Sequence, residues 1–374
     1  MSIQIVREKP FEFLTRKETG EKFEEDIVKN WYIARAFVID KLRNEAFRPD
    51  SNEHLHVVVM GDGPRMLSVV RQVALSAHYI NFHEGNNEEL PCNRTVITIV
   101  STLPNIKEEL QREEYLCNLP KFCKYIDKNS EVENTQSFVD IEIHVVEECP
   151  PKNENKHEYF FSKEDVDTFF DQKQHDNDIL CIDTRKAEYA SRIYDLGAII
   201  DNLPAEDIHC AKRYNMALDV FQNESLKRIP KPMFKESSCT DLCKVKEMLS
   251  NIFCADCFES RRKSIQLCSG SDEKRLWETN NEALSRSEHA RWIVEKLIMG
   301  YSPLNDEQRY KDECLFYDKI KKTQYRHSLK KNSKNPAHID LCSYADLRRI
   351  NPDDLKFDSF LMLAIPKILD KVKE

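Results

Sequence analysis

The residues best suited to chemistry lie in one run, Asn281-Glu-Ala-Leu-Ser-Arg-Ser-Glu-His-Ala-Arg-Trp-Ile-Val-Glu-Lys-Leu-Ile-Met-Gly300. Its spacing predicts one long helix, with Gly300 placed to stop it in left-handed geometry. On a wheel of 3.6 residues per turn, Ala290, Ile293, Val294, Leu297 and Ile298 form the stripe to be buried. Glu288, Arg291 and Glu295 stand three and four residues apart, the spacing at which charges pair, as a ladder along the edge of that stripe. Ser285, His289, Trp292 and Lys296 fall together on the other side. A tryptophan there needs a partner. Either the C-terminal segment covers it, or it faces a pocket where aromatic and cationic groups meet a planar anion. The first reading makes this a second packing face, and the second makes it a binding site for His289, Arg291, Trp292, Glu295, Lys296 and the following Tyr301.

A second candidate is Met60-Gly-Asp-Gly-Pro-Arg-Met66. Glycines between a strand and a helix permit a tight turn and let a phosphate approach backbone N–H groups. Pro64 suits a first helical turn. Gly61, Asp62 and Gly63 are thus candidates to bind NAD or another nucleotide, against the alternative of a structural turn. Two parts of the dinucleotide fingerprint are missing. Met66 stands in place of the third glycine, and Ser101 ends the next strand where an acid would hold a ribose. Asp62, His78, His83 and Asp183 could serve an enzyme, but no nucleophile–base motif or metal box accompanies them. Asp183-Thr184 also reads as an ordinary helix cap. The chain therefore reads as a non-enzyme.

Cys254-Ala-Asp-Cys257 has zinc-ligand spacing, with Cys239, Cys243 and Cys268 nearby. Leu242, Val245, Leu249, Ile252 and Phe253 repeat helically through the same stretch. In one continuous helix Cys243 and Cys254 would lie about 16 Å apart, too far to share an ion. Buried structural thiols are the expectation, and no metal is assigned.

These residues need a scaffold. Residues 1–50 read as a helical lead-in. The strands Leu55–Met60, Thr95–Val100, Val139–Val146 and Asp178–Asp183 alternate with helices near Pro64–His78, Ile106–Leu116 and Ala187–Leu196. That alternation means a parallel sheet with helices on its faces, so 51–205 reads as one doubly wound, Rossmann-like α/β domain. Residues 206–275 read as a helical linker region, and 276–374 as a small helical domain.

Bulk properties agree. At 374 residues the chain can hold two cores. Its 40% hydrophobic and 32% charged residues suit a folded, soluble protein. The net charge of -9 opposes nonspecific binding to nucleic acid. The basic run Lys321–Lys334 reads as a solvated loop. No apolar run reaches the ~20 residues that span a bilayer. The first ten residues carry no secretory signal, and 13 scattered cysteines fit a reducing, cytoplasmic setting.

Two stretches carry resemblances. Leu55–Ser101, through Val58-Val-Met-Gly-Asp-Gly63, Ala74-Leu-Ser-Ala-His-Tyr79 and Asn93-Arg-Thr-Val-Ile-Thr98, resembles Trk/RCK-type NAD-binding domains. Those are cytoplasmic regulators of potassium transport. Glu288-His-Ala-Arg-Trp292, Glu295-Lys-Leu297 and Gly300-Tyr301-Ser-Pro303 resemble the core of a prokaryotic ryanodine-receptor repeat (RyR) domain. His338-Ile-Asp-Leu341, Tyr344-Ala-Asp-Leu347, Asp358 and Ile365-Pro-Lys-Ile-Leu369 are similar to the rest of it. Tyr301 departs from the tryptophan frequent there. The resemblance implies a non-catalytic module that binds a nucleotide-derived signal, with antiviral defence or ion transport as the setting. Three classes follow as expectations: a sensor of a small anionic ligand, an NAD(P)-dependent enzyme, or an RCK-like gating or scaffold subunit that forms homo-oligomers.

Overall fold

The computed structural model describes residues 7–8, 21, 23–85, 92–128, 138–151, 157–175, 182–183, 185–190, 242–304, 337–350 and 355–373. The expected segments 178–181, 191–241 and the basic run Lys321–Lys334 lie outside the described residues.

The centre is a five-stranded, all-parallel sheet. Its strands are β2 (His56–Met60), β3 (Thr95–Val100), β4 (Lys124–Ile126), β5 (Ile141–Val146) and β6 (Glu158–Phe161), in the order β4-β5-β3-β2-β6. Val57, Val58 and Val59 are fully buried, as a strand flanked on both sides and covered by helices requires. The register pairs Val58 with Thr98 on β3 and with Phe160 on β6. Side chains of Val57, Val59, Ile97, Ile99, Ile141, Ile143 and Phe161 enter the main core. The alternate residues His56, Thr98 and Glu158 hydrogen-bond one another: His56 Nδ1 lies 2.8 Å from Glu158 Oε1 and Nε2 lies 2.8 Å from Thr98 Oγ1. This mixed α/β architecture is consistent with a Rossmann-like fold.

Helices complete the body. α1 (Glu25–Leu42) and α2 (Pro64–Ser76) pack lengthwise on each other, and α5 (Lys163–Lys173) lies against both. α1 is no mere lead-in: Phe37 meets the rings of Phe161 and Phe169 edge-on at 5.0 and 5.3 Å. Short helices α3 (Ile106–Leu110) and α4 (Leu119–Phe122) follow β3. In the later half come α6 (Leu242–Asp256), α7 (Phe258–Gln266), α8 (Glu273–Thr279), α9 (Asn281–Ile298), α10 (Tyr344–Ile350) and α11 (Leu355–Lys373). β8 (Ser302–Pro303) pairs in parallel with β9 (Ala337–His338). α9 contacts α2, α4, α6 and α11, and one hydrophobic cluster runs from Trp31 through Val57 and Leu249 to Leu297 and Leu369. The α/β body and the later helices thus share a core.

One expected strand is placed elsewhere. β7 (Ile182–Asp183) pairs antiparallel with β1 (Arg7–Glu8) and does not join the parallel sheet. Two residues of ladder are all it has, and Asp183 turns at once to accept from the Arg185 backbone N–H at 3.0 Å, the cap foreseen. β4 and β6 were not foreseen, being short edge strands with Lys124 and Glu158 at their starts. The helix expected over 106–116 ends at Leu110, and tight turns replace its second half.

Candidate functional site

α9 begins after Asn280 and stops where Gly300 adopts φ 84°. There Gly300 N–H bonds the Leu297 carbonyl at 3.0 Å and Tyr301 N–H bonds that of Lys296 at 2.9 Å. This paired closure, the Schellman pattern, folds Tyr301 back beside Lys296. Two residues distant in a straight helix projection become neighbours.

The Glu288–Arg291–Glu295 ladder is not an edge feature. Arg291 is 1% exposed and the two carboxylates are 0% exposed. Arg291 Nε lies 3.0 Å from both Glu288 oxygens, and its Nη1 donates to Glu295 Oε2 at 2.7 Å. From α7, Arg261 adds Nη2 at 2.8 Å from Glu288 Oε2. Lys296 Nζ donates to Glu295 Oε1 at 2.7 Å. Burial raises the Glu288 carboxyl, but the Arg291 and Arg261 charges outweigh it and hold the group at about 2. Glu295 is likewise lowered: burial opposes this, and Lys296 with Arg291 overcome it. Arg291 and Glu295, expected to meet a ligand, are therefore occupied with each other beneath the surface. Opposite charges that satisfy one another can be buried where lone ones cannot. The string Arg261–Glu288–Arg291–Glu295–Lys296 carries three bases against two acids, and it reaches the surface at Lys296.

The second face of α9 is covered by α10, α11 and β9. Ser285 is buried and donates to the Asn281 carbonyl at 2.7 Å. His289 is buried, with Nε2 donating to the Cys342 carbonyl at 2.9 Å and Nδ1 3.9 Å from Asp358. Burial lowers its pKa, against the Cys342 carbonyl. The expectation of an open flank fails for these two, because Tyr344 and the Cys342 turn close over them. Trp292, Lys296 and Tyr301 remain half-buried. Trp292 stacks on His289 with centroids 6.1 Å apart and meets the His338 ring edge-on at 4.9 Å. Lys296 Nζ stands 5.5 Å from the Trp292 ring centre and 6.0 Å from that of Tyr301. In the sequence His338 belongs only to a run similar to the RyR domain; its place beside Trp292 comes from β9, over thirty residues beyond α9, so no local spacing reveals it.

The glycine loop lies at the carboxyl end of β2. Gly61 adopts φ +132°, and its N–H bonds the Val100 carbonyl at 3.0 Å. Gly63 caps α2 with ordinary extended backbone, and a methyl added to it would meet nothing within 4 Å. Asp62 accepts the Ser101 hydroxyl. Met66 packs its Cγ 3.4 Å from where a Gly61 methyl would stand. Met66 therefore fills the third-glycine position, and Asp62 is tied to Ser101 just after β3. A cleft of about 500 Å³ beside Gly63 is bordered by Lys29, Arg65 and Lys163, with Arg65 held by Asp167 and Asp171. Gly61→Ala is expected to cost about 1–3 kcal/mol, because a side chain is strained at that φ. Gly63→Ala should cost under about 1 kcal/mol. Urea denaturation of the two variants checks the difference.

The other residues considered for an enzyme are dispersed. His78 Nδ1 pairs with Asp140 at 2.8 Å in a sealed position at the amino end of β5, whereas Asp62 is at the carboxyl end of β2. His83 Nε2 bonds the Pro49 carbonyl at 3.2 Å. Cys254 and Cys257 are buried, and Arg261 Nη1 is 3.9 Å from the Cys254 sulfur. Burial pushes the Cys257 thiol up to about 12. Among the described residues no three metal-binding side chains converge. Among them, too, no helix is long and apolar enough to cross a membrane. Comparison of the chain with protein-family models, with curated proteins and with solved structures gives no match in any of the three.

Proposed function

We propose that this protein is a non-catalytic sensor that takes a small anionic, nucleotide-like ligand against Trp292, Lys296 and Tyr301. One observation carries the reading: the Lys296 ammonium stands by two half-buried aromatic rings, fixed from below by a buried carboxylate. A planar base can lie on such rings, while the cation faces its phosphate. The string that ends at Lys296 carries three bases, that lysine included, against two acids, and the excess favours an anion there. Arg261, Glu288, Arg291 and Glu295 position the lysine and do not touch the ligand. The RyR-like run supports the same reading as a resemblance. The rival readings are an NAD(P)-dependent enzyme that uses the Gly61–Gly63 loop and an RCK-like gating or scaffold subunit.

Calorimetric titration with linear and cyclic nucleotides tests it. Trp292→Ala is expected to weaken binding about tenfold or more, the scale of one lost stacking contact. Lys296→Met should weaken nucleotides but leave uncharged nucleosides unchanged. Binding indifferent to both substitutions would remove the site, and a wild-type chain that takes none of the panel would remove the reading.

A further inference from the structure

One wall of this site is held from outside the C-terminal helices. Asn118 belongs to the turn between α3 and α4, in the α/β body. Its backbone N–H bonds the Leu297 carbonyl at 3.1 Å, at the open end of α9. Its side-chain amide donates to the Tyr301 carbonyl at 3.0 Å and lies 3.3 Å from the Ser302 hydroxyl. Asn118 therefore caps α9 across the molecule and fixes the backbone that carries the Tyr301 ring.

The turn that presents Asn118 is itself over-determined. Cys117, just before it, sits at φ 45°, a left-handed conformation that a side chain disfavours. Such a conformation persists only where its surroundings hold it. Here Cys117 N–H bonds the Arg112 carbonyl at 3.2 Å and Leu116 N–H bonds that of Leu110 at 2.8 Å. The Glu114 carbonyl accepts from two buried groups, Trp31 Nε1 at 2.9 Å and Arg71 Nη1 at 3.0 Å. Arg71 lies over the Trp31 ring at 4.0 Å, which ties α1 and α2 to the same turn. A rigid piece of the α/β body thus ends in the amide that grips Tyr301.

We infer that Asn118 is a positioning residue of the Trp292–Lys296–Tyr301 site, so that the α/β body completes the site and registers its occupancy through the 112–118 turn. The inference rests on the sensor reading for its ligand, but not for its geometry. Asn118→Asp in the full chain is the variant of choice. It keeps the shape, the backbone N–H and the acceptor that Lys121 Nζ meets at 3.0 Å, and it replaces the donor to Tyr301 and Ser302 by a charged acceptor.

The chain has three tryptophans, Trp31, Trp277 and Trp292, so 5-fluorotryptophan labelling gives three fluorine resonances, assigned by Trp292→Phe and Trp277→Phe. The expected result is a displaced Trp292 resonance with Trp277 unmoved. A Trp292 resonance that stays in place overturns the inference, whether or not any nucleotide binds. If all three move and cooperative melting is lost, Asn118→Ala is judged by the same criterion, since it removes the amide without setting a carboxylate against the carbonyl. With a nucleotide that the wild type binds, Asn118→Asp should lower affinity about tenfold, one hydrogen bond's worth. Unchanged affinity beside a displaced Trp292 resonance would also overturn the inference, while a panel that fails on the wild type counts against the sensor reading alone.

Discussion

Arg291→Met is expected to lower the stability of the chain by about 3–5 kcal/mol, the cost of leaving buried charges without their partner. The guanidinium joins Glu288 to Glu295, and all three side chains are sealed from water. In the variant Glu288 keeps Arg261 and the Cys254 thiol, and Glu295 keeps Lys296. A fall of roughly 5 °C in the melting temperature should accompany it, since the unfolding entropy of a 374-residue chain with a shared core makes each kcal/mol worth about 1–1.5 °C. A double change, Arg291→Met with Glu288→Leu, should lose still more, because it leaves the buried Arg261 without its carboxylate. Calorimetric melting of the three chains checks both statements. An Arg291→Met chain that melts like the wild type would show the ladder to be solvated, and the presentation of Lys296 would then need another cause.

The ladder also shows where sequence reasoning stopped. Its spacing was legible, because pairs at three and four residues are a property of one helix. Its burial was not, because Arg261 closes the network from α7, thirty residues upstream. The strands β2, β3 and β5 were readable from Val- and Ile-rich runs whose composition suits a strand between neighbours. β4 and β6 escaped because an edge strand of three or four residues leaves no such run. The apolar pattern ahead of Asp183 marked a strand but could not name its partner, and β1 took it.

The candidate site divides in the same way. Trp292 and Lys296 share a helical face, which a wheel reveals; Tyr301 joins them only through the turn that Gly300 permits. His289 and Ser285 share that face too, yet α10 and α11 cover them, and helical spacing says nothing of what a later segment will cover. His338 and Asn118 reach the site through tertiary contacts alone. The glycine loop was recognisable from its place between strand and helix, and its departures are partners of loop residues: Met66 packs beside Gly61, and Ser101, just after β3, donates to Asp62.

Acid should unfold this chain over a range set by two carboxylates on different elements. Glu142 on β5, like Glu288, is held at about 2: burial opposes this, and hydrogen bonds from His144 and Lys124 overcome it. Both would titrate near 4.5 in the unfolded chain. Folded values below unfolded ones mean that the stabilisation is present above about pH 4.5 and drains away as pH falls toward 2. The buried Glu288 contributes about 3 kcal/mol by this route. Glu142 contributes less, because Lys124 and His144 are about a third open to solvent, where water screens them. His289 acts in the same direction from higher pH, since its buried ring resists the proton that the unfolded ring takes near 6.5. Urea denaturation at pH 6 and pH 3.5 measures the sum, and Glu142→Gln separates its parts. That variant should start less stable at pH 6 and lose less on acidification than the wild type, because it no longer has that carboxylate to protonate. An equal loss in both chains would mean that the β5 carboxylate is not depressed. The strain of acid would then fall on the α9 ladder, whose protonation at Glu288 leaves Arg261 and Arg291 facing each other across a neutral group.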